Sequence, residues 1–196
     1  MEHEKLVERL FQNSIAAKID CVETVTPVIV RAGQLMAECL LSDRKILVCG
    51  DASGLANAQY LANILMFQGE RERPGLPCIL LDATGCGSLG AGLDYGDSEM
   101  FARQVNALGQ PGDVMVVFTH AGTSAAIGAA IRAAHDRDMV VVALTAQTGG
   151  NVPALLDHRD VEVRVPITSR FRTHEIHLLL SFALCELVEW QLFGGE

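Results

Sequence analysis

The sequence predicts a doubly wound α/β domain on a five-stranded parallel sheet, with a helical extension before it and a long helix after it. Three observations predict this. Short β-branched or aliphatic runs alternate with Ala-rich helical segments from residue 45 onward, the order expected of strands joined by crossover helices. The runs are apolar at nearly every position rather than at alternate ones, as in strands buried on both faces. Glycines and hydroxyls gather directly after two of them, where such sheets keep their ligand crevices.

The elements follow in chain order. Residues 1–43 read as helical throughout: apolar positions recur at helical spacing in "LVERLFQNSIAAKI" and again in "PVIVRAGQLMAECLL", and Pro27 suits the start of a second helix. Strands are expected at 46–49, 78–81, 114–118, 140–144 and 161–165, and helices at 56–67, 97–108, 124–136 and 172–192. Right-handed crossovers make one domain over 1–196, comprising packing helices (1–43) and an α/β sandwich with its final helix (44–196). The helices at both ends carry apolar stripes that need cover, which the same helices of other subunits would supply.

Composition narrows the class. The 196 residues suit one domain, and 49% hydrophobic content allows a sizeable core. A net charge of −9 argues against a surface that grips nucleic acid by its phosphates, which needs a basic face. The opening "MEHEKLVERLFQNS" lacks the apolar centre of a secretory signal, and no apolar run is expected to reach membrane-spanning length. Cys21, Cys39, Cys49, Cys78, Cys86 and Cys185 lack CxxC spacing and read as buried thiols in a reducing, cytoplasmic compartment.

Two strand-to-helix turns, "CGDASGLANA" and "FTHAGTSAAI", set glycines and hydroxyls where backbone N–H groups at a helix N-terminus are free, an arrangement that binds phosphate. Ser53, Thr119, Thr123 and Ser124 are the side chains expected to reach an anion, with His120 able to donate beside them. The same residue types also serve as helix caps and turn formers. In "HEIH", His174 and His177 share a helix face, but two ligands are fewer than zinc takes, so neither metal nor other cofactor is expected. His135 and His158 lie in charged surface contexts.

The blocks "CGDASGLANAQYLA", "ERERPGLPCILL", "ALGQPGDVMVVFTHAGTSAAI", "AAHDRDMVVVALTAQTGG", "DVEVRVP" and "HEIHLLL", collinear over essentially the whole chain, resemble the SIS (sugar isomerase) domain family, whose sheet is flavodoxin-like. Within it they resemble the branch of phosphoheptose isomerase and the DnaA initiator-associating protein, closer to the non-catalytic DnaA-associating type. The isomerase side of the resemblance implies conversion of sedoheptulose 7-phosphate through an enediol, using a Glu base and a His acid that, with a second His and a Gln, can also hold zinc. Matching the blocks places those positions at Tyr60 (His), Ile64 (Glu), His174 (Gln) and Phe182 (His), with a further Arg at Gln68. The helical spacing survives, but Ile64 cannot take a proton and Phe182 cannot give one. In the loops, Asp51 puts a carboxylate near the expected phosphate and Ala121 loses a donor, while Leu93 stands before the family's Asp94 and Tyr95. The segment 85–96 reads as a connection over the cleft.

The terminal Leu192–Phe193 pair matches the place where the DnaA-associating proteins grip their partner. Together these features lead to the expectation of a non-catalytic scaffold. It would be a homotetramer that presents Leu192 and Phe193 to a DnaA-like initiator, promotes replication initiation, keeps sugar-phosphate binding and makes no direct nucleic-acid or membrane contact. The alternative is a phosphoheptose isomerase with an altered site, zinc included, in which Glu175, His174, His120 and Asp94 are the available acid and base groups.

Overall fold

The computed structural model describes residues 2–67, 69–82 and 97–195. In chain order these form α1 (Glu2–Leu41), β1 (Ile46–Gly50), α2 (Gly54–Met66), β2 (Cys78–Leu80), α3 (Met100–Leu108, led by a 3₁₀ turn at Asp97–Glu99), β3 (Val114–Phe118), α4 (Ala125–Asp136), β4 (Val140–Thr145), β5 (Val161–Arg164) and α5 (Arg170–Phe193). The five strands are all parallel in the order β2-β1-β3-β4-β5, the doubly wound arrangement expected.

Alternate strand residues feed two separate cores, because successive side chains leave a strand on opposite faces. Ile46, Val48, Val116, Phe118, Val142, Leu144 and Val163 pack under α1, α2 and α5. Leu47, Cys49, Met115, Val117, Val141 and Ala143 pack under α3 and α4. Continuous apolar runs are therefore required, and alternating ones would leave one layer uncovered.

The amino-terminal segment departs from expectation. It is one 40-residue helix, with Pro27 inside it rather than at a new start. Proline removes the N–H that would reach the carbonyl of residue 23 and normally breaks a helix. Here the buried stripe Cys21, Val25, Ile29, Ala32 and Met36 runs past residue 27 at helical spacing, and Pro27 lies on the exposed side. The hydroxyls of Thr24 and Thr26 donate to the carbonyls of Cys21 (2.9 Å) and Val22 (2.5 Å), anchoring the flanking turns. By length and composition α1 and α5 could each cross a bilayer, which corrects the expectation that no segment reaches that length, but both lay a buried face on the sheet.

The lower ends of α2 and α5 meet through one buried cation. Arg73 Nε donates to Glu189 Oε1 at 2.7 Å, while Nη1 and Nη2 donate to the carbonyls of Leu65 and Ile64 at 2.8 Å each. Those are carbonyls of the last turn of α2, which have no partner within the helix. Beside the pair, burial pushes the Cys185 thiol up to about 11, so it stays protonated. Higher on α5, buried His177 donates from Nε2 to the Thr145 carbonyl (3.2 Å) and meets Phe118 edge-on at 6.0 Å. Burial foremost lowers its pKa to about 4, with the charges of His174 and His120 adding to the effect.

Two predictions follow from these buried groups. Glu189→Ala leaves the Arg73 guanidinium buried without its counter-ion, so a loss of about 3 kcal/mol in unfolding free energy is expected from urea melts. An unfolded histidine takes its proton near pH 6.5 and the folded one only near 4, so the unfolded state binds more protons between those values. His177 therefore makes stability fall as pH drops through that window, by up to about 3 kcal/mol, with its contribution fully present above it. His177→Gln is expected to flatten the slope of melting temperature against pH between 6.5 and 4.

Candidate functional site

The strand order reverses between β1 and β3, and the loops that follow these two strands flank the resulting crevice. After β1 the chain turns through Asp51, Ala52 (φ +43) and Ser53 into α2. Gly54 lets that helix start close against β3, since a Cβ there would sit 2.3 Å from the Phe118 carbonyl oxygen. After β3, Gly122 turns at φ +65, and a Cβ on it would lie 2.0 Å from the Gly149 carbonyl oxygen, so this loop is seated on the 149–151 turn. Asn151 N–H donates to the Gly122 carbonyl at 2.8 Å. The two crevice loops are tied together by the Thr119 hydroxyl, which donates to Asp51 Oδ2 (3.0 Å) and accepts from Gly122 N–H (3.0 Å).

This geometry sorts the five expected anion ligands. Thr119 is fully buried and its hydroxyl is engaged on both sides. Ser124 caps α4, accepting from Ile127 N–H at 3.4 Å, and Thr123 is exposed. Ser53 stands at the start of α2 without a capping bond, so its hydroxyl is uncommitted. It joins His120, Arg170, Thr173, His174 and His177 in one cluster over the crevice. His120 Nδ1 is buried and has no partner among the described residues. His174 Nδ1 accepts from the Asn57 amide at 3.0 Å, which in a neutral ring places the proton on Nε2. Asp51 is the one acid here. Burial raises its pKa, against the Thr119 hydrogen bond and the charges of His120 and Arg170. Sequence reasoning missed Asn57, Arg170 and Thr173. The N-cap signal of Ser169 ahead of α5 marks the turn where Arg170 sits.

The positions matched to the family's acid, base and metal ligands do not form one group. Tyr60 and Phe182 meet edge-to-face with ring centroids 5.6 Å apart. With Ile64, Gly69, Glu70, Cys185, Glu186 and Glu189 they line a cleft of about 290 Å³ lower on the α2–α5 seam. His174 belongs to the upper cluster instead. Of these four positions His174 alone offers an imidazole, and its Nδ1 is already engaged, so the set does not fit zinc, which takes at least three protein ligands. Among the described residues, one histidine–carboxylate trio has ligand spacing: His135, Asp157 and Asp160. Asp160 there is held by Val141 N–H and Asp157 N–H at 2.8 Å each and by His135 Nε2 at 2.7 Å, as a clamp on the β4–β5 turn.

The remaining expected residues lie elsewhere. Glu175 faces α1, paired with Lys18 and Arg172 at 2.6 Å each and accepting from the Ser14 hydroxyl. Burial raises its pKa, but the Lys18 and Ser14 hydrogen bonds and the Arg172 charge bring it below the ordinary carboxylate value, so it is a poor base. Leu192 packs on the core, and Phe193 lies under the Arg71 guanidinium, 5.8 Å from its ring centre. Gln68, Leu93, Asp94, Tyr95, Cys86 and the segment 85–96 lie at or run through positions outside the described residues.

The SIS domain model matches residues 10–146. The phosphoheptose isomerase of Chromohalobacter salexigens is 43% identical, over 94% of this chain and 94% of its own. That of Halorhodospira halophila is 42% identical, over 100% and 98%. The structure of a phosphoheptose isomerase from Francisella tularensis superposes with a TM-score of 0.91 at 36% identity, covering 96% of this chain and 98% of that one. These full-length relatives overturn the expectation of a non-catalytic scaffold for a DnaA-like initiator and favour the alternative. The pair on which that expectation leaned is partly absorbed by the fold, through the packing of Leu192 and the Arg71 contact of Phe193. The chain belongs to the SIS domain family, in its phosphoheptose isomerase branch.

Proposed function

We propose that the protein is an aldose–ketose isomerase acting on a phosphorylated sugar, a phosphoheptose isomerase with an altered site. The observation that carries this reading is full-length identity above two-fifths to proteins of that name. The crevice supports it. Helices α2, α4 and α5 all begin there, and their free N–H groups and dipoles favour a phosphate beside Ser53, His120 and Arg170.

Isomerisation takes a proton from the carbon next to the carbonyl, and that C–H pair forms the enediol double bond as the carbonyl π pair moves to its oxygen and gains a proton; the neighbouring hydroxyl then loses its proton to become the new carbonyl, and the double-bond pair takes up a proton at the former carbonyl carbon. Ile64 and Phe182 supply no group for this, so the upper histidines carry it. His120 has a free lone pair or proton at its buried Nδ1, and His174 is oriented by Asn57.

On this reading the protein is a homotetramer in the cytoplasm. Leu6, Val7, Leu10, Phe11, Ile15, Ile19 and Val22 form an uncovered apolar stripe on α1, with Phe11 68% and Ile19 65% exposed, more than a lone chain comfortably leaves in water. The five cysteines among the described residues are all free and buried, which suits a reducing compartment.

The purified protein is expected to turn over sedoheptulose 7-phosphate, and His174→Ala and His120→Gln are each expected to lower kcat by about 10²-fold or more. Absence of turnover, with and without added zinc, would refute the activity. Ile15→Glu with Ile19→Glu is expected to reduce the molar mass found by light scattering after gel filtration. An unchanged mass would exclude the α1 stripe as the subunit contact.

A further inference from the structure

Asn57 is buried on α2, 2% exposed, and faces the start of α5. Its amide nitrogen lies 3.0 Å from His174 Nδ1 and 3.2 Å from the His174 carbonyl oxygen. A backbone carbonyl can only accept, so the amide turns its NH₂ end, not its oxygen, toward His174. The two N–H groups of that nitrogen then meet two acceptors, and Nδ1 has to present a lone pair. The carbonyl thus fixes which end of the amide faces the ring, and the amide fixes which ring nitrogen carries the proton. That proton is on Nε2.

Nothing in the protein takes it up. Among the described residues His174 Nε2 makes no hydrogen bond, and unlike His120 Nδ1 it is not sealed from solvent. The cluster around it holds Ser53, His120, Arg170, Thr173 and His177, with no carboxylate among the lining groups. Thr173 and His177 are already committed, to the carbonyls of Ile167 and Thr145.

We infer that Asn57 is a positioning residue that fixes His174 as a neutral hydrogen-bond donor, its Nε2–H reserved for an oxygen of the sugar substrate. A preset donor stabilises negative charge as it grows on an oxygen, with no reorientation during the reaction. In the isomerisation that oxygen is the carbonyl oxygen, which gains charge as the carbon-bound proton leaves, and a neutral imidazole can fill this role. His174 then acts on oxygen, and of the two upper histidines His120 is left to act on carbon. The inference rests on the isomerase reading and assigns one of its groups a role.

Nitrogen-15 spectra of the full chain, labelled at histidine and recorded in the solid state at pH 8, report which ring nitrogens carry protons. The His174 signals are those that vanish in His174→Gln. They are expected to show a bare Nδ1 and a protonated Nε2. Asn57→Asp places a carboxylate there that can only accept, so the proton is expected to move to Nδ1. With it, kcat on sedoheptulose 7-phosphate is expected to fall about 10²-fold or more while KM stays nearly unchanged. The wild-type spectrum decides even where Asn57→Asp does not fold: a protonated Nδ1 in it would overturn the inference and leave the isomerase reading standing. An unchanged kcat in an Asn57→Asp protein whose tautomer has moved would do the same. Absence of turnover by the wild type would overturn both.

Discussion

One constraint arranges everything of functional interest in this protein: a parallel sheet buried on both faces must be wound by crossovers, so every helix that follows a strand begins at the same edge. α2, α4 and α5 therefore bring their unsatisfied N–H groups to one place without any residue having to specify it. What the sequence adds is close approach. Gly54 lets α2 start against the Phe118 carbonyl, and the Asp51–Thr119 hydrogen bond locks the two loops across the point where strand order reverses. The crevice follows from topology, and its chemical character from the few side chains at its rim.

The same logic explains how the seam at residues 60, 64 and 182 is apolar while the chain keeps the family architecture. At mid-seam Tyr60 and Phe182 meet edge-to-face and Ile64 is buried, which gives apolar contact with no polar atoms there that need partners. The lower seam is then held by Arg73, which satisfies the end of α2 and the Glu189 carboxylate at once. The resemblance implies that proton-carrying chemistry is missing at 60, 64 and 182. It says nothing of groups a helical turn or two away, and here the imidazoles collect at the upper end, with His120 and His174 both in reach of the crevice.

The sheet was legible because double-sided burial writes an unambiguous signal. The run at 114–118 is apolar without exception and matches β3 residue for residue, and β4 and β5 differ from their expected ranges by one residue at one end. Pro27 was misread because local propensity argues for a break, whereas the stripe through Cys21, Val25 and Ile29 is worth more buried than the one lost hydrogen bond costs. The hydroxyls were legible as a group and not as individuals. Sequence shows that Thr119 and Ser124 can donate and accept, but only three-dimensional neighbours reveal that Asp51, Gly122 and Ile127 already occupy them. Arg170 and Asn57 were invisible for the same reason, since each enters the site through a contact across more than a hundred residues of chain.

The proposal that a protein of net charge −9 gathers an anion looks self-defeating until local field is separated from total charge. At physiological ionic strength a charge is screened over about 8 Å, so the acidic residues spread over the surface contribute little at the crevice. The helix N-termini, Arg170 and His120 act within that distance, in a place where Asp51 is held partly out of water by its own burial and tied to Thr119. On this proposal overall acidity disfavours polyanions such as nucleic acid, which sample the whole surface, while a small phosphate meets one rim. Under the proposed function, the charge that works against one class of phosphate ligand and the local donors that would admit another are parts of the same electrostatic arrangement.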